Sequence, residues 1–260
     1  MAEYNEVYRR ARYYDIAFRR DVTCEVDFLC DLYLQHAGRP LASMLDIACG
    51  PGYHARLFAK RGIRSAGLDL RPEMVDFARE RANDEGAEVD WIASDMRRFC
   101  LDEPVDLALT SYDSIDCLTT QDEIVDHFRA VAENLAPGGL YVFETTHPRD
   151  CSIDRYGEFR YAGQENGVEV VIEWAVNRPK ADPLTQVVET EILMRVNDRG
   201  REEVFRDRAR ERLGFPQEYI ALGRLSGALE VKAFYGDFRL EQPFDNGPGS
   251  RRLIAVMGKA

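Results

Sequence analysis

Residues 45–54 have the sequence Leu-Asp-Ile-Ala-Cys-Gly-Pro-Gly-Tyr-His, which places a short apolar run directly before a glycine-rich turn. Gly50 and Gly52 allow the backbone to turn sharply and to approach a ligand closely. With Ala55 they fit the GxGxxA pattern of dinucleotide sites, so the glycines alone do not identify the ligand. Asp46 precedes the turn, where an anionic side chain is unfavourable for a pyrophosphate. Its charge instead favours a ligand that has a sulfonium and an ammonium group.

The sequence on both sides of this turn predicts alternating strands and helices. Apolar, strand-like runs cover 44–48, 65–70, 89–93, 105–111 and 140–144. Helical runs cover 53–61, 72–83 and 121–135, and the last is closed by Pro137-Gly138-Gly139. Strands separated by helices are typical of a parallel sheet with helices on both faces. We therefore predict an α/β fold with a Rossmann-like, doubly wound sheet.

A different pattern follows the fifth strand. Residues 158–213 contain strand-like runs with turn residues and no helix between them, which predicts an antiparallel β insertion. A helix over 216–229 and strands over 229–234 and 252–257 then return to the main sheet, mostly parallel with an antiparallel last strand. The expected organisation is an N-terminal helical cap (1–40), a cofactor-binding core (41–150), the antiparallel β insertion (151–213) and the C-terminal part of the core sheet (214–260).

Acidic and polar side chains follow three further predicted strands. Asp69 ends the second strand, 19 residues after Gly50, where α/β cofactor sites place an acid for ribose hydroxyls. Ser94-Asp95-Met96 follows the third strand, and Thr110-Ser111-Tyr112-Asp113 follows the fourth. Ligands of open α/β sheets bind at the carboxyl ends of the strands, so these segments are expected to form one site.

Four motifs in this order resemble those of class I S-adenosylmethionine-dependent methyltransferases. They are DIACGPG (46–52), LDLRPEM (68–74), ASDM (93–96) and NLAPGG (134–139), within a resemblance that covers roughly residues 40–146. The resemblance implies S-adenosylmethionine as the cofactor. It assigns Asp46, Gly50 and Gly52 to the methionine moiety, Asp69 to the ribose, Leu70, Met74, Asp95 and Met96 to the adenine, and Ser111 and Tyr112 to the methyl-donor channel. Ala48 is a further expected cofactor-binding residue.

The segment YYDIAF (13–18) is similar to that of a bacterial subgroup that includes sugar and antibiotic-pathway N-methyltransferases. This looser resemblance implies that Tyr14 closes over the cofactor. Packing of a helix is the alternative role for this tyrosine. The resemblance does not name a substrate.

The residues that face the methyl acceptor are predicted from strand ends. Methyl transfer is an in-line displacement in which alignment supplies much of the rate, and a base is needed only if the acceptor must lose a proton. His147, Asp113 and Tyr14 are the catalytic candidates, and Glu144 is a candidate for substrate binding. The alternative for His147 is a loop histidine that bonds to the backbone.

Arginines alternate along the last run of the insertion, so Arg206, Arg208, Arg210 and Arg212 face one way on a strand. A hairpin turn at Asp198-Arg199 would pair the first two with Glu191 and Glu189. Arg210 and Arg212 would then be left to bind a carboxylate or phosphate of the substrate.

Composition restricts the partners. A net charge of −12 argues against a nucleic-acid substrate, and no apolar run approaches the ~20 residues of a membrane-spanning helix. The N-terminus has no signal-peptide pattern, so a cytoplasmic location is expected. The six cysteines form no CxxC pair, which predicts free thiols and no metal site. His36 and His127 are expected at the surface, and the β insertion is expected to cap the pocket and to support a possible homodimer.

The function predicted from the sequence is methyl transfer from S-adenosylmethionine to a small molecule, with nitrogen or oxygen as the favoured acceptor atom. One alternative is a non-catalytic S-adenosylmethionine-binding subunit. Another is a nicotinamide-dependent oxidoreductase, against which Asp46 and the lack of a Tyr-x-x-x-Lys motif argue. The identity of the acceptor stays open.

Overall fold

The computed structural model describes residues 5–260, so residues 1–4 of the predicted cap lie outside the described part. Helices are α1 (Ala11–Phe18), α2 (Thr23–Ala37), α3 (Tyr53–Lys60), α4 (Pro72–Glu85), α5 (Gln121–Asn134) and α6 (Pro216–Ser226), with 3₁₀ turns at Glu6–Arg9 and Ser114–Cys117. Strands are β1 (Ser43–Ile47), β2 (Arg64–Asp69), β3 (Val89–Ala93), β4 (Val105–Thr110), β5 (Leu135–Thr146), β6 (Phe159–Glu165), β7 (Val168–Trp174), β8 (Val187–Asp198), β9 (Arg201–Arg212), β10 (Leu229–Tyr235) and β11 (Arg252–Lys259).

Seven strands form the main sheet in the order β10-β11-β5-β4-β1-β2-β3. Strand β11 runs antiparallel to both of its neighbours, and the pairs on the other side of β5 are parallel. All five residues of β1 are buried because helices cover both faces of the sheet. The predicted Rossmann-like sheet, mostly parallel with an antiparallel last strand, is confirmed.

Strands β6 to β9 form a separate antiparallel sheet. Along β7 the buried side chains alternate with more exposed ones, and Val168, Val170, Ile172 and Trp174 face inward. This inward face packs against α1, where Ile16 and Phe18 join the same apolar cluster. The antiparallel insertion is therefore present, and it holds α1 over the main sheet.

The predicted register of the β8–β9 hairpin is wrong. Its turn is Arg199-Gly200, with φ of 54° and 93°, and Asp198 pairs with Arg201. Both central residues of a tight hairpin turn of this kind need positive φ, and glycine accepts that conformation most easily. Arg208 therefore lies opposite Glu191, Arg210 opposite Glu189 and Arg212 opposite Val187.

Two other expectations need correction. Helix α5 ends at Asn134 and β5 begins at Leu135, so Pro137-Gly138-Gly139 lies within the strand, where its pairing with β4 is irregular. His127 is fully buried rather than at the surface, and its ring nitrogens contact the Met96 carbonyl at 2.8 Å and the Tyr141 hydroxyl at 2.7 Å.

Candidate functional site

The carboxyl ends of β1, β2, β3 and β4 meet at a cavity of about 290 Å³ between the main sheet, α1 and the β insertion. Ten of the residues predicted for the site line it together. They are Tyr14, Ala48, Gly50, Asp69, Leu70, Asp95, Met96, Ser111, Tyr112 and Asp113. Segments from four strand ends thus converge, as expected for an open α/β sheet.

The glycine turn leaves space on the cavity side. Gly50 has a φ of 51°, and a Cβ built on it would meet no atom within 4 Å. Gly52, with a φ of 76°, has a different role, because a Cβ there would lie 2.3 Å from the Cη2 atom of Trp91. Gly50 therefore forms an open cradle, whereas Gly52 is required by packing and does not line the cavity.

Two of the predicted cofactor residues are buried behind the cavity. Asp46 is 1% exposed and accepts a hydrogen bond from the Ala55 amide at 3.4 Å. Burial raises the pKa of Asp46 to about 6. Met74 is also 1% exposed, lies in α4 and does not line the cavity. The structure does not bring these two side chains into the cavity.

Two acids at the strand ends are held by backbone and side-chain donors. The Asp69 carboxylate accepts hydrogen bonds from the Gly50 and Arg71 amides, each at 2.9 Å. Each oxygen keeps a lone pair for a further donor. Arg97 donates to Asp95 from its amide and its guanidinium, and these bonds lower the pKa of Asp95. Asp69 can therefore accept further hydrogen bonds from a ligand, whereas a ligand donor at Asp95 would replace part of the Arg97 contacts, which occupy both of its oxygens.

The backbone after β4 is conformationally unusual. Tyr112 and Asp113 have φ of 57° and 61°, a region that side chains other than glycine seldom adopt. The Glu144 carboxylate holds this turn by accepting a bond from the Tyr112 amide at 2.6 Å. Glu144 is 3% exposed and pairs with Arg252, so it supports the cavity wall from behind. It is not among the residues that line the cavity.

Asp113 is not a free base. Burial opposes its charge, but the Arg252 guanidinium at 2.9 Å and the Thr146 amide outweigh this and lower its pKa. A carboxylate with a lowered pKa is a weak proton acceptor.

Aromatic rings from α1 cover the cavity. Tyr14 stacks on Phe18 at a centroid distance of 4.2 Å, and Phe18 stacks on Tyr161 of β6 at 4.0 Å. Burial raises the pKa of Tyr14, so its phenol stays neutral. Tyr14 both lines the cavity and packs its helix, and its closure over the cofactor stays a prediction.

Besides Glu144, three residues predicted for the acceptor lie outside the cavity: His147, Arg210 and Arg212. His147 is 2% exposed, stacks on Phe244, accepts from the Arg149 amide through Nδ1 and contacts the Asp245 carbonyl through Nε2. Both nitrogens are thus engaged with backbone, as in the alternative considered for it.

The two arginines also point away from the cavity. Arg212 is 7% exposed and donates to the Thr119 and Thr185 carbonyls, to Gln186 and to Glu218, so it links the insertion to the core. Arg210 is exposed on β9.

Several lining residues were not predicted from the sequence. Arg20, Cys117, Tyr156, Trp174, Glu211 and Arg252 all line the same cavity. The Glu211 carboxylate accepts bonds from the Trp174 indole N–H at 3.1 Å and the Tyr156 hydroxyl at 2.5 Å. These partners are 37 and 55 residues away in the chain, so no local motif reveals them. Only the inward-facing position of Trp174 in its predicted strand offered a signal.

A group of metal-binding side chains and a membrane-spanning helix are both absent from the described residues. No group of three or more histidine, cysteine, aspartate or glutamate side chains within 5–260 could hold a metal ion. Across the same part of the chain, no helix is long and apolar enough to cross a membrane.

Comparison with protein families gives a match of residues 44–139 to the family described as "Methyltransferase domain". A dTDP-3-amino-3,4,6-trideoxy-alpha-D-glucopyranose N,N-dimethyltransferase of Streptomyces venezuelae is 32% identical over 48% of this chain and 51% of its own length. A dTDP-4-amino-2,3,4,6-tetradeoxy-D-glucose N,N-dimethyltransferase of Saccharopolyspora spinosa is 34% identical over 44% of each chain. The chain spans about half the length of the curated relatives it matches.

Solved structures match over nearly the whole chain. DesVI of Streptomyces venezuelae has a TM-score of 0.75 at 25% identity, covering 99% of this chain and 100% of its own. CalS10, an amino pentose methyltransferase of Micromonospora echinaspora with S-adenosylmethionine bound, has a TM-score of 0.69 at 25% identity over 98% of both chains. An S-adenosylmethionine-dependent methyltransferase of Clostridium acetobutylicum has a TM-score of 0.78 at 18% identity over 97% of this chain and 98% of its own, which shows the fold.

Proposed function

We propose that this chain, whose residues 44–139 form a methyltransferase domain, transfers a methyl group from S-adenosylmethionine to a nitrogen or oxygen atom of a small molecule. One observation carries the proposal. A single cavity contains the Gly50 cradle and the acids Asp69 and Asp95 at one end, and aromatic side chains of α1 and the β insertion at the other. The first end suits a nucleoside with an amino-acid tail, and the second suits an acceptor.

The cofactor half fits this methyl donor. The open space at Gly50 admits the methionine moiety, Asp69 accepts from the ribose hydroxyls, and Asp95 accepts from the adenine amino group. Asp46 acts from behind the turn through its buried charge, and Ala48 and Met96 add apolar wall. S-adenosylmethionine supplies an electrophilic methyl group on a cationic sulfur. The residues of the chain then contribute by holding the acceptor in line with that methyl group.

The relatives support the same reaction class. Two curated relatives are named as N,N-dimethyltransferases of dTDP-amino sugars, and CalS10 is solved with S-adenosylmethionine bound. From these relatives we extend two features to this chain, which are S-adenosylmethionine as the methyl donor and a small molecule as the acceptor. We also propose a cytoplasmic location, a possible homodimer and domain boundaries at residues 40, 150 and 213. We further propose that the chain has no nucleic-acid partner, which the net charge of −12 supports.

Calorimetric titration with S-adenosylmethionine and separately with NAD tests the cofactor. We expect micromolar binding of S-adenosylmethionine and none of NAD. Binding of NAD alone would make the glycine turn a dinucleotide site and the chain an oxidoreductase. Transfer of radiolabelled methyl groups to a metabolite panel then separates an enzyme from a non-catalytic binding subunit.

A further inference from the structure

Glu211 is a carboxyl group at the acceptor end of the cavity with no role in the predicted cofactor site. Its side chain enters the cavity from the end of β9. Its two oxygens accept from different donors, the Tyr156 hydroxyl and the Trp174 indole. Each carboxylate oxygen has two acceptor positions, so both can accept one more bond from a ligand. Glu211 is thus oriented by the insertion and available to a molecule in the cavity.

The surroundings of Glu211 favour a positively charged ligand. Tyr8, Tyr156, Phe159 and Trp174 line the same end of the cavity, with Tyr8 and Trp174 6.3 Å apart. Aromatic ring faces attract cations, and the ionised form of a carboxyl group among them adds a negative charge. Among residues 5–260, no lysine, arginine or histidine forms an ion pair with Glu211, whose hydrogen bonds come from Tyr156 and Trp174. Two arginines that line the cavity are engaged with other acids.

Those two arginines are Arg20 and Arg252. Arg20 pairs with Glu25 and lies over the Tyr112 ring, 4.1 Å from its centroid. Arg252 pairs with Asp113 and Glu144. The charge of Glu211 is therefore left for a ligand to balance.

The acids assigned to the two ends of the cavity both act on the Cys117 thiol. Burial raises the pKa of Cys117, and the charges of Glu211, Asp116 and Asp69 raise it further. Cys117 lines the same cavity as Glu211 and Asp69. A ligand held by Glu211 shares the cavity with a ligand held by Asp69.

Building on the proposed methyl transfer, we propose that Glu211 binds the acceptor through a protonated nitrogen and accepts its proton, which makes the acceptor a primary or secondary amine on a body that packs against aromatic rings. The ammonium gives one proton to the Glu211 carboxylate and regains a lone pair on nitrogen. That lone pair forms the nitrogen–carbon bond while the carbon–sulfur bond breaks and its electron pair stays on sulfur. The products are a methylated ammonium, a neutral thioether and a proton on Glu211 that returns to water.

Desolvation of Glu211 supports the proton transfer. It raises the pKa of this carboxyl to about 7, and the charge of Asp113 raises it as well, against the bonds from Tyr156 and Trp174. A group with a pKa near neutrality can accept a proton and release it again. Four other titratable groups close to Glu211 have raised pKa values and stay neutral: Tyr8, Tyr156, Cys117 and Cys151. Of the two neighbouring carboxyl groups, Asp113 is paired with Arg252, and burial together with the charge of Asp113 raises the pKa of Asp116.

The two tryptophans of the chain allow the two ends of the cavity to be followed separately. Trp174 donates to Glu211, and Trp91 lies against the glycine turn at Gly52. Indole N–H resonances of ¹⁵N-labelled protein, assigned with Trp174→Phe, would be recorded with S-adenosylhomocysteine and then with benzylamine or benzyl alcohol. These two probes differ only in the amine or hydroxyl group.

We expect benzylamine to shift the Trp174 resonance at lower concentration than benzyl alcohol does. Glu211→Gln should raise the benzylamine concentration required by about tenfold or more, as expected for loss of a charge-assisted hydrogen bond. Glu211→Asp should recover part of the binding, because it keeps the charge. Glu202→Gln is the matched control, since Glu202 is exposed on the same strand, and it should behave as the natural chain.

The outcomes separate this inference from the proposed function. A shift of Trp91 with S-adenosylhomocysteine in every variant supports the cofactor site, and its absence in the natural chain contradicts the proposed function. With that shift present, the amine role is overturned if benzylamine and benzyl alcohol bind equally. It is also overturned if Glu211→Gln binds benzylamine as the natural chain does, or if Glu211→Asp binds it no better than Glu211→Gln.

Discussion

At the scale of single residues, the buried carboxyl of Glu211 makes stability depend on pH. An ordinary glutamate has a pKa of 4.5, and desolvation raises that of Glu211 to about 7 in the folded chain. The folded state therefore holds this proton more tightly than the unfolded state does. The stability that this proton contributes is fully present below pH 4.5, the pKa in the unfolded chain. It is lost as the pH rises through about 7, the pKa in the folded chain.

Glu211→Gln removes this titration. We expect the variant to exceed the natural chain in free energy of unfolding by about 1–3 kcal/mol at pH 8, with a much smaller difference near pH 5. Urea denaturation at both pH values measures this, with Glu202→Gln as the exposed control. A difference that is the same at both pH values would show that Glu211 has no raised pKa.

Asp69 carries a second prediction at this scale. Its carboxylate fixes the Gly50 and Arg71 amides and has lone pairs directed to a ligand in the cavity. Asp69→Ala should weaken S-adenosylmethionine binding by about 1–3 kcal/mol, because ribose hydroxyls lose their acceptor. Calorimetry measures the change, and Asp90→Ala, an exposed position on the adjacent strand β3, is the control. Unchanged affinity in Asp69→Ala would contradict the assignment of the ribose site.

At the scale of helices and strands, the contacts of Arg212 indicate that the end of β9 joins the insertion to the core. Its guanidinium pairs with Glu218 of α6 at 2.6 Å and bonds to the Thr119 carbonyl, and its side chain is 8% exposed. Arg212→Ala should lower the free energy of unfolding by about 3 kcal/mol, because a partly buried Glu218 loses its partner.

Arg210→Ala is the matched comparison, since Arg210 is exposed two residues away, and it should cost less than about 0.5 kcal/mol. Chemical denaturation compares the two variants. Equal effects would mean that the contacts of Arg212 do not join the insertion to the core.

The elements differ in how far their sequence determines them. The strands from β1 to β4 and helices α3 and α4 are predictable because local apolar patterns, Gly62, Pro72 and the glycine turn mark their ends. The β8–β9 register is not, since Asp198-Arg199 and Arg199-Gly200 both suit a two-residue turn by composition. Conformation decides between them, because Gly200 takes a φ of 93° with little strain. When the turn shifts by one position, each residue of β9 faces a residue of β8 two positions away from the predicted partner.

At the scale of the whole molecule, the cofactor end of the cavity was predictable and the acceptor end was not. Gly50, Asp69 and Asp95 follow strands whose order is visible in the sequence. Glu211 meets Trp174 and Tyr156 only when three separate parts of the insertion fold together. His147 shows the converse, because a polar residue at a strand end was expected in the cavity, whereas its nitrogens engage the backbone of two loops.

The assembly of the two sheets around α1 yields the last prediction. Gly163 of β6 lies against α1 so closely that an added Cβ would stand 1.8 Å from the Ile16 carbonyl oxygen. Gly163→Ala must therefore push α1 away from the insertion, and with it Tyr14 and Phe18, which form the cavity wall. Gly163 itself does not line the cavity.

We expect Gly163→Ala to weaken S-adenosylmethionine binding several-fold and to increase amide hydrogen exchange across α1, since the helix loses its packing surface. Ala162→Ser, at an exposed position beside it, should change neither quantity. If α1 exchanges faster while the affinity is unchanged, the helix covers the acceptor end alone. If hydrogen exchange across α1 increases and the affinity for S-adenosylmethionine falls in the same variant, the insertion controls access to the methyl donor through α1. It does so although it contributes no residue to the glycine turn.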